Sequence, residues 1–331
     1  MSEEFPPLIA RKERLTIEEI EKLEGLPEID TFQNVKPSEL CYCTYRQAPD
    51  FLKGNSGICD YYRFNYSHSM ALRSIFKWHN QTLNLWTHLL GALLMFFCYQ
   101  WWAVDEYSVV FKFITIGPAI TQFFSGVFHM FGCCSKNHYF RLVSIDIASI
   151  AATVFPLQYG NARLLLPGNA GDTWIKVCFT ANAIGILTVF VPSFNDPNIR
   201  WVRSVVWSTI AFCAFIIPVD SWRRYGRSDI LEIVFIQYIF WFIAMLIYSF
   251  RIPERSLVKK YAEMEGIDDV VKFPSTKTNV SVTRTDEKKK HRYFSTFVHS
   301  HILFHLMITF NSVLNVYIMN YIIRYKLPIK V

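Results

Sequence analysis

Seven apolar blocks, each about as long as a helix needs to be to cross a bilayer, dominate this chain. They run roughly from Leu83 to Val104, Val109 to Phe131, Phe140 to Tyr159, Trp174 to Val191, Val202 to Val219, Ile230 to Phe250 and Phe294 to Tyr321. Backbone polar groups in hydrocarbon must be satisfied within their own segment, so blocks of this kind predict transmembrane helices. With 52% hydrophobic and 18% charged residues in 331, the chain has too little polar surface for a soluble globule. The expectation is an all-α fold, a seven-transmembrane helix bundle over residues 71–321. Residues 1–70 form the lead-in, with one short helix that Thr16 and Glu19 would start as a capping box. The basic stretch 251–292 reads as a flexible loop within the bundle domain, and 322–331 as a tail.

An odd number of spans puts the termini on opposite sides. Lys and Arg concentrate before the first block, between the second and third, between the fourth and fifth, and from Arg251 to Arg292. Positive residues favour the cytoplasmic side, so the N-terminus and that loop are expected inside, leaving the C-terminal tail extracytoplasmic. The arginines of SWRRYGRSD run against this count. The same rule absorbs the net charge of +7, and nucleic acid is not an expected partner. Eight scattered cysteines form no secreted disulfide pattern, and the polar, mixed-charge N-terminus does not resemble a signal peptide. The Asn triplets NYS, NQT and NVS fall on the inner side and are discounted as glycosylation sites. Before the first block, Leu72, Ile75, Phe76 and His79 suggest an amphipathic helix on the inner interface, anchored by Arg73, Lys77 and Trp78. The chain is expected to be a multi-pass protein of the plasma membrane or an endomembrane.

Polar side chains inside the blocks are the functional candidates, because hydrocarbon tolerates them only when they are paired, hydrated or metal-bound. His129 ends the second block, Asp146 lies about two turns into the third, and His301 and His305 share one face near the start of the seventh. In the expected topology all four side chains lie in the inner leaflet. Three imidazoles and a carboxylate at one depth suit Zn²⁺, with Asp146 bound directly or through a water in the open position. The competing reading is four separate polar groups, each bonded between helices or reaching the interface. His299 points away from His301 and reads as interfacial, while Cys133 and Cys134 could be thiolate ligands, small apolar residues or lipidation sites. Ser125 shares the face of His129, where its hydroxyl could support a water or an oxyanion, or bond back to its own helix.

Ser125-x₃-His129, then Asp146, then His301-x₃-His305, together with Tyr62-Arg63 and the run SIFKWHNQTLNLWTHLLG, resembles the progestin and adipoQ receptor family. That family includes adiponectin receptors, membrane progestin receptors, fungal zinc-homeostasis membrane proteins and relatives of bacterial hemolysin III. The resemblance implies zinc held by His129, His301 and His305, with Asp146 and Ser125 beside its water, and a cytoplasmic N-terminus. For the adiponectin-receptor branch it implies hydrolysis of ceramide to sphingosine and fatty acid. Gln81 stands where the family usually has an acidic residue, keeping the hydrogen-bonding capacity without the charge.

Chemistry alone leads the same way: a metal lowers the pKa of its water, a carboxylate takes the proton, and an inner-leaflet site favours a long-chain amide. A membrane lipid is therefore the expected occupant of an intramembrane cavity, and the resemblance implies that it is ceramide or free fatty acid. The alternative is a receptor or zinc/lipid-homeostasis sensor with structural zinc and an extracellular protein or lipid ligand.

Overall fold

The computed structural model describes residues 40–191, 200–255 and 297–326, apart from 41, 44, 46, 56, 59 and 60. The helix expected at Thr16 and most of the basic stretch lie outside these residues. Among the described residues the structure is helical: α1 (His68–Arg73), α2 (Thr82–Trp102), α3 (Ser108–Phe131), α4 (Lys136–Leu165), α5 (Asn169–Thr188), α6 (Arg200–Tyr225), α7 (Ser228–Phe250) and α8 (Ser300–Tyr321). The last seven correspond to the seven apolar blocks. Six of them are long and apolar enough to cross a membrane, while α5 is not, since it opens on the polar run NAGDTWIK. The protein is an all-α, multi-pass membrane protein.

The chain divides into two compact units, one of residues 1–83, 129–139 and 253–299, the other of 84–128, 140–252 and 300–331. In the second unit the spans pack around a core that includes Phe111, Ile114, Ile230, Val234, Val316 and Met319. Polar clasps supplement this packing, because lipid offers helices no hydrophobic drive to associate. Asn182 donates to Gln158 Oε1 (2.7 Å), Gln158 Nε2 donates to the Ile210 carbonyl (2.7 Å), and Asn161 Nδ2 donates to the Ala214 carbonyl (3.2 Å). These bonds tie α4 to α5 and α6. They also carry α4 past the expected end at Tyr159, since Asn161 finds its partner on the neighbouring helix rather than in water.

A ladder of small residues sets the register of α3 against α4. A Cβ on Gly117 would stand 1.9 Å from the Ala152 carbonyl oxygen, so only glycine allows this approach. One turn on, Thr121 Oγ1 donates to the Ser149 carbonyl at 2.6 Å and accepts from Thr153 Oγ1 at 2.9 Å. Another turn on, Ser125 lies beside Asp146. Gly117, Thr121 and Ser125 thus form a four-residue repeat of small side chains, a device that draws membrane helices together. The same repeat ends at His129.

The first unit differs from the sequence expectation at residues 68–79. The α-helix lasts six residues, from a Ser67 cap whose hydroxyl accepts from the Met70 amide, and then tightens into a 3₁₀ turn over Ser74–Phe76. Leu72, Phe76 and Trp78 are exposed as an interfacial face requires, but His79 is fully buried and does not share that face. Its Nδ1 accepts from the Gln81 amide (3.1 Å), while its own amide donates to Thr82 Oγ1 (2.8 Å). Asn80 and Thr82 of the NQT triplet are buried in the same turn. Burial there pushes the His79 imidazole down to about 2, helped by the nearby Arg63 charge.

Candidate metal centre

His88, on the first span, belongs to the run TLNLWTHLLG, and Gly91 one turn later leaves room for what orients it. A Cβ at Gly91 would lie 3.1 Å from the Gln122 amide and 3.2 Å from Thr309 Oγ1. Gln122 on α3 accepts from His88 Nδ1 through its carbonyl oxygen and donates its amide to Thr309 on α8. A carbonyl oxygen can only accept, so Nδ1 of His88 carries the proton and Nε2 keeps its lone pair. His129 repeats this arrangement, with its Nδ1 2.8 Å from Gln81 Oε1. Gln81 therefore does keep the hydrogen bond without the charge. Outer partners of this kind fix the tautomer and ring angle of metal-binding histidines.

The His88 and His305 rings stand 4.0 Å apart, edge to face. Both residues are buried within the second unit, and His129 is buried within the first. The donor set fits a borderline cation such as zinc, and its orientation by two amide oxygens is what such a centre needs.

The structure thus sets one sequence-derived candidate, His305, beside His88, an imidazole that the sequence reading passed over, and orients a second candidate, His129, through Gln81. His301, half-buried, sits one turn before His305 with its ring 4.3 Å away, and the Tyr248 ring lies 5.6 Å from it. Asp146 is half-buried and lies beside Ser125, which is buried. His299 is buried, not interfacial. Cys133 and Cys134 are buried with Tyr66, Met70 and Ala71, the small apolar role among the three considered for them.

His88 has a sequence signal that could have found it: its face, with Gly91 one turn on, is the only part of that block where polar and small residues gather. Arg63 gives a second anchor. Fully buried, it donates from Nη1 to Ser74 Oγ at 2.7 Å and from Nη2 to the His129 carbonyl, capping the last turn of α3. A cation at a helix C-terminus is favoured by the helix dipole and by the carbonyls that end the helix.

Residues 76–315 match the family described as haemolysin-III related. The chain belongs to that family. Curated relatives of this haemolysin-III-related protein include heptahelical transmembrane protein 1 of Arabidopsis thaliana, 28% identical over 239 residues, covering 64% of this chain and 70% of the relative. Progestin and adipoQ receptor family member 3 of Homo sapiens is 25% identical over 233 residues, 64% of this chain and 74% of its own. The adiponectin receptor protein of Drosophila melanogaster is 25% identical over 243 residues, 66% of this chain and 53% of its own. The matched region thus spans between about half and three quarters of these relatives' lengths. The resemblance to the progestin and adipoQ receptor family is borne out.

Proposed function

We propose that this protein binds zinc within its helical bundle and hydrolyses a long-chain lipid amide of the ceramide class. The observation that supports it is a set of buried imidazoles on long apolar helices, His88 beside His305 at 4.0 Å and His129, two of the three oriented through Nδ1 by glutamine carbonyls. His129 and His305 are ligands on either account. The third imidazole is His88 in the present geometry and His301 in the family pattern. Bound zinc would supply Lewis acidity and a water acidified toward neutral pH.

The chain's own residues supply the rest. Asp146, on the rung of the α3–α4 ladder nearest His129, is the candidate base that takes the proton of the attacking water. The Ser125 hydroxyl holds that carboxylate and can turn to donate to a developing oxyanion. Gln81 and Gln122 keep the imidazoles in the tautomer that leaves Nε2 open. The N-terminus is proposed to be cytoplasmic, which would put this chemistry in the inner leaflet.

Asp146→Asn, reconstituted with zinc, should retain the metal and lower ceramide turnover by about 10² or more, against about 10 to 100-fold for Ser125→Ala. Zinc-loaded wild type that releases no fatty acid above its own His129→Ala variant, across several chain lengths, would end the hydrolase reading. A second reading has one observation in its favour. With His301 4.3 Å from His305, four imidazoles are at hand, enough to close the coordination sphere of a structural zinc in a receptor or sensor.

A further inference from the structure

A small cavity lies among α3, α4, α7 and α8, wholly within the second unit. Its lining includes Ile114, Thr153, Gln237, Asn311, Ser312 and Asn315. Gln237 is 2% exposed and Asn315 5%, yet Gln237 Oε1, Asn311 Oδ1 and Asn315 Nδ2 are all buried without a protein hydrogen-bond partner. Leaving even one such atom dry inside a membrane bundle is strongly unfavourable, and this cavity has three. The cavity measures about 30 Å³. A buried water needs roughly 10 to 15 Å³ on this measure and typically makes about three hydrogen bonds, so the space suits about two waters.

We propose that this cavity is an internal hydration site holding about two ordered waters, bonded to Gln237, Asn311 and Asn315 and joining α7 to α8 in mid-bundle. The donor pattern selects the ligand. Two of the open atoms are amide oxygens that must accept and one is an amide nitrogen that must donate, and water does both. A sodium ion would satisfy the oxygens but meet the Asn315 N–H groups head on, with no carboxylate among the lining residues to offset its charge. The hydroxyls of Ser312 and Thr153 already donate to the Ile308 carbonyl and to Thr121, so each offers the waters a further acceptor.

The site is continuous with the imidazole group along one helix face. His305, Thr309, Ser312 and Asn315 follow at spacings of four, three and three residues, and Thr309 takes the Gln122 amide that orients His88. The helix that carries His305 therefore has a hydrated face beginning about 10 Å along its axis from the imidazole, at Ser312. The proposal stands whether or not the chain is a hydrolase.

The sign of a stability change tests it. Gln237→Leu, Asn311→Leu and Asn315→Leu, singly and together, are compared with wild type by thermal unfolding of the full chain in nanodiscs. In a wet cavity each single change removes a partner of the waters and lowers Tm, by roughly 2 to 6 °C, while the triple variant, with nothing polar left to satisfy, loses less than the sum. In a dry cavity each single change removes an unsatisfied atom and raises Tm, which would overturn the proposal. A Tm increase specific to sodium over choline chloride, lost in Gln237→Leu, would overturn it in favour of a cation. Should the variants fail to fold, radiolytic hydroxyl labelling of wild type decides. Ile114, 2% exposed, should oxidise well above Ile217, 0% exposed and packed against Ala162 and Leu166, and equal background labelling of the two would refute the waters.

Discussion

His88→Ala and His301→Ala separate the two ligand sets that share His129 and His305. In the present geometry the His88 ring stands 4.0 Å from that of His305 and is fixed through Gln122 and Thr309. The His301 ring lies 4.3 Å from that of His305 and 5.6 Å from that of Tyr248. Zinc binding of about 10 to 16 kcal/mol divided among three or four ligands gives roughly 2.5 to 5 kcal/mol each, or about 10² to 10⁴ in Kd. His88→Ala should weaken zinc by that factor, and Gln122→Leu, which frees the ring without removing it, by about 10 to 100-fold. His301→Ala should change Kd less than about 10-fold. The assay is competition with a chromophoric chelator on purified apo protein, with metal content by mass spectrometry and helicity by circular dichroism as the folding control. Wild-type affinity in His88→Ala, together with loss in His301→Ala, would refute the geometric set and restore the one implied by family resemblance. Loss in both His88→Ala and His301→Ala would instead support a closed, four-imidazole site.

Three further outcomes are expected. Arg63→Lys should lower stability by about 2 to 4 kcal/mol in thermal unfolding, since an ammonium cannot span Ser74 and the His129 carbonyl as the guanidinium does, and unchanged stability would remove Arg63 as the cap of α3. Gly117→Ala should cost about 1 to 3 kcal/mol, because its Cβ would meet the Ala152 carbonyl oxygen at 1.9 Å, and Ser125 and Asp146 two turns on should lose their contact; crosslinking of cysteine pairs across α3 and α4 would report the spread. His79, lowered from 6.5 to about 2 by burial, favours the folded state while neutral. Its contribution is complete above pH 6.5 and is lost as pH falls below that value, at about 1.4 kcal/mol per pH unit, because the unfolded chain then binds the proton that the folded one refuses. Unfolding of chelator-treated protein between pH 7.5 and 5 should show that slope, and His79→Gln should flatten it.

Apolar length and spacing determined the spans from sequence alone, because hydrocarbon leaves a backbone segment no alternative to the helix. The Ser125, His129, Asp146, His301 and His305 pattern was legible for a related reason: polar groups that lipid penalises stand out against an apolar background. Periodicity also placed Ser125 on the face of His129 and His301 on that of His305. Which polar groups meet was beyond it. His88 lies on the first span and His305 on the last, and nothing local to either tells that their rings stand 4.0 Å apart. The fate of His79 could not be read either, since its helical spacing pointed to the interface while a 3₁₀ turn, made where Ser74 binds Arg63, turned it inward. The same holds for Gln237 and Asn315, which sequence marks only as polar interruptions. Helix packing made them neighbours of one cavity and set the imidazoles beside one another, because distances across a bundle depend on crossing and register, which a one-dimensional pattern does not encode.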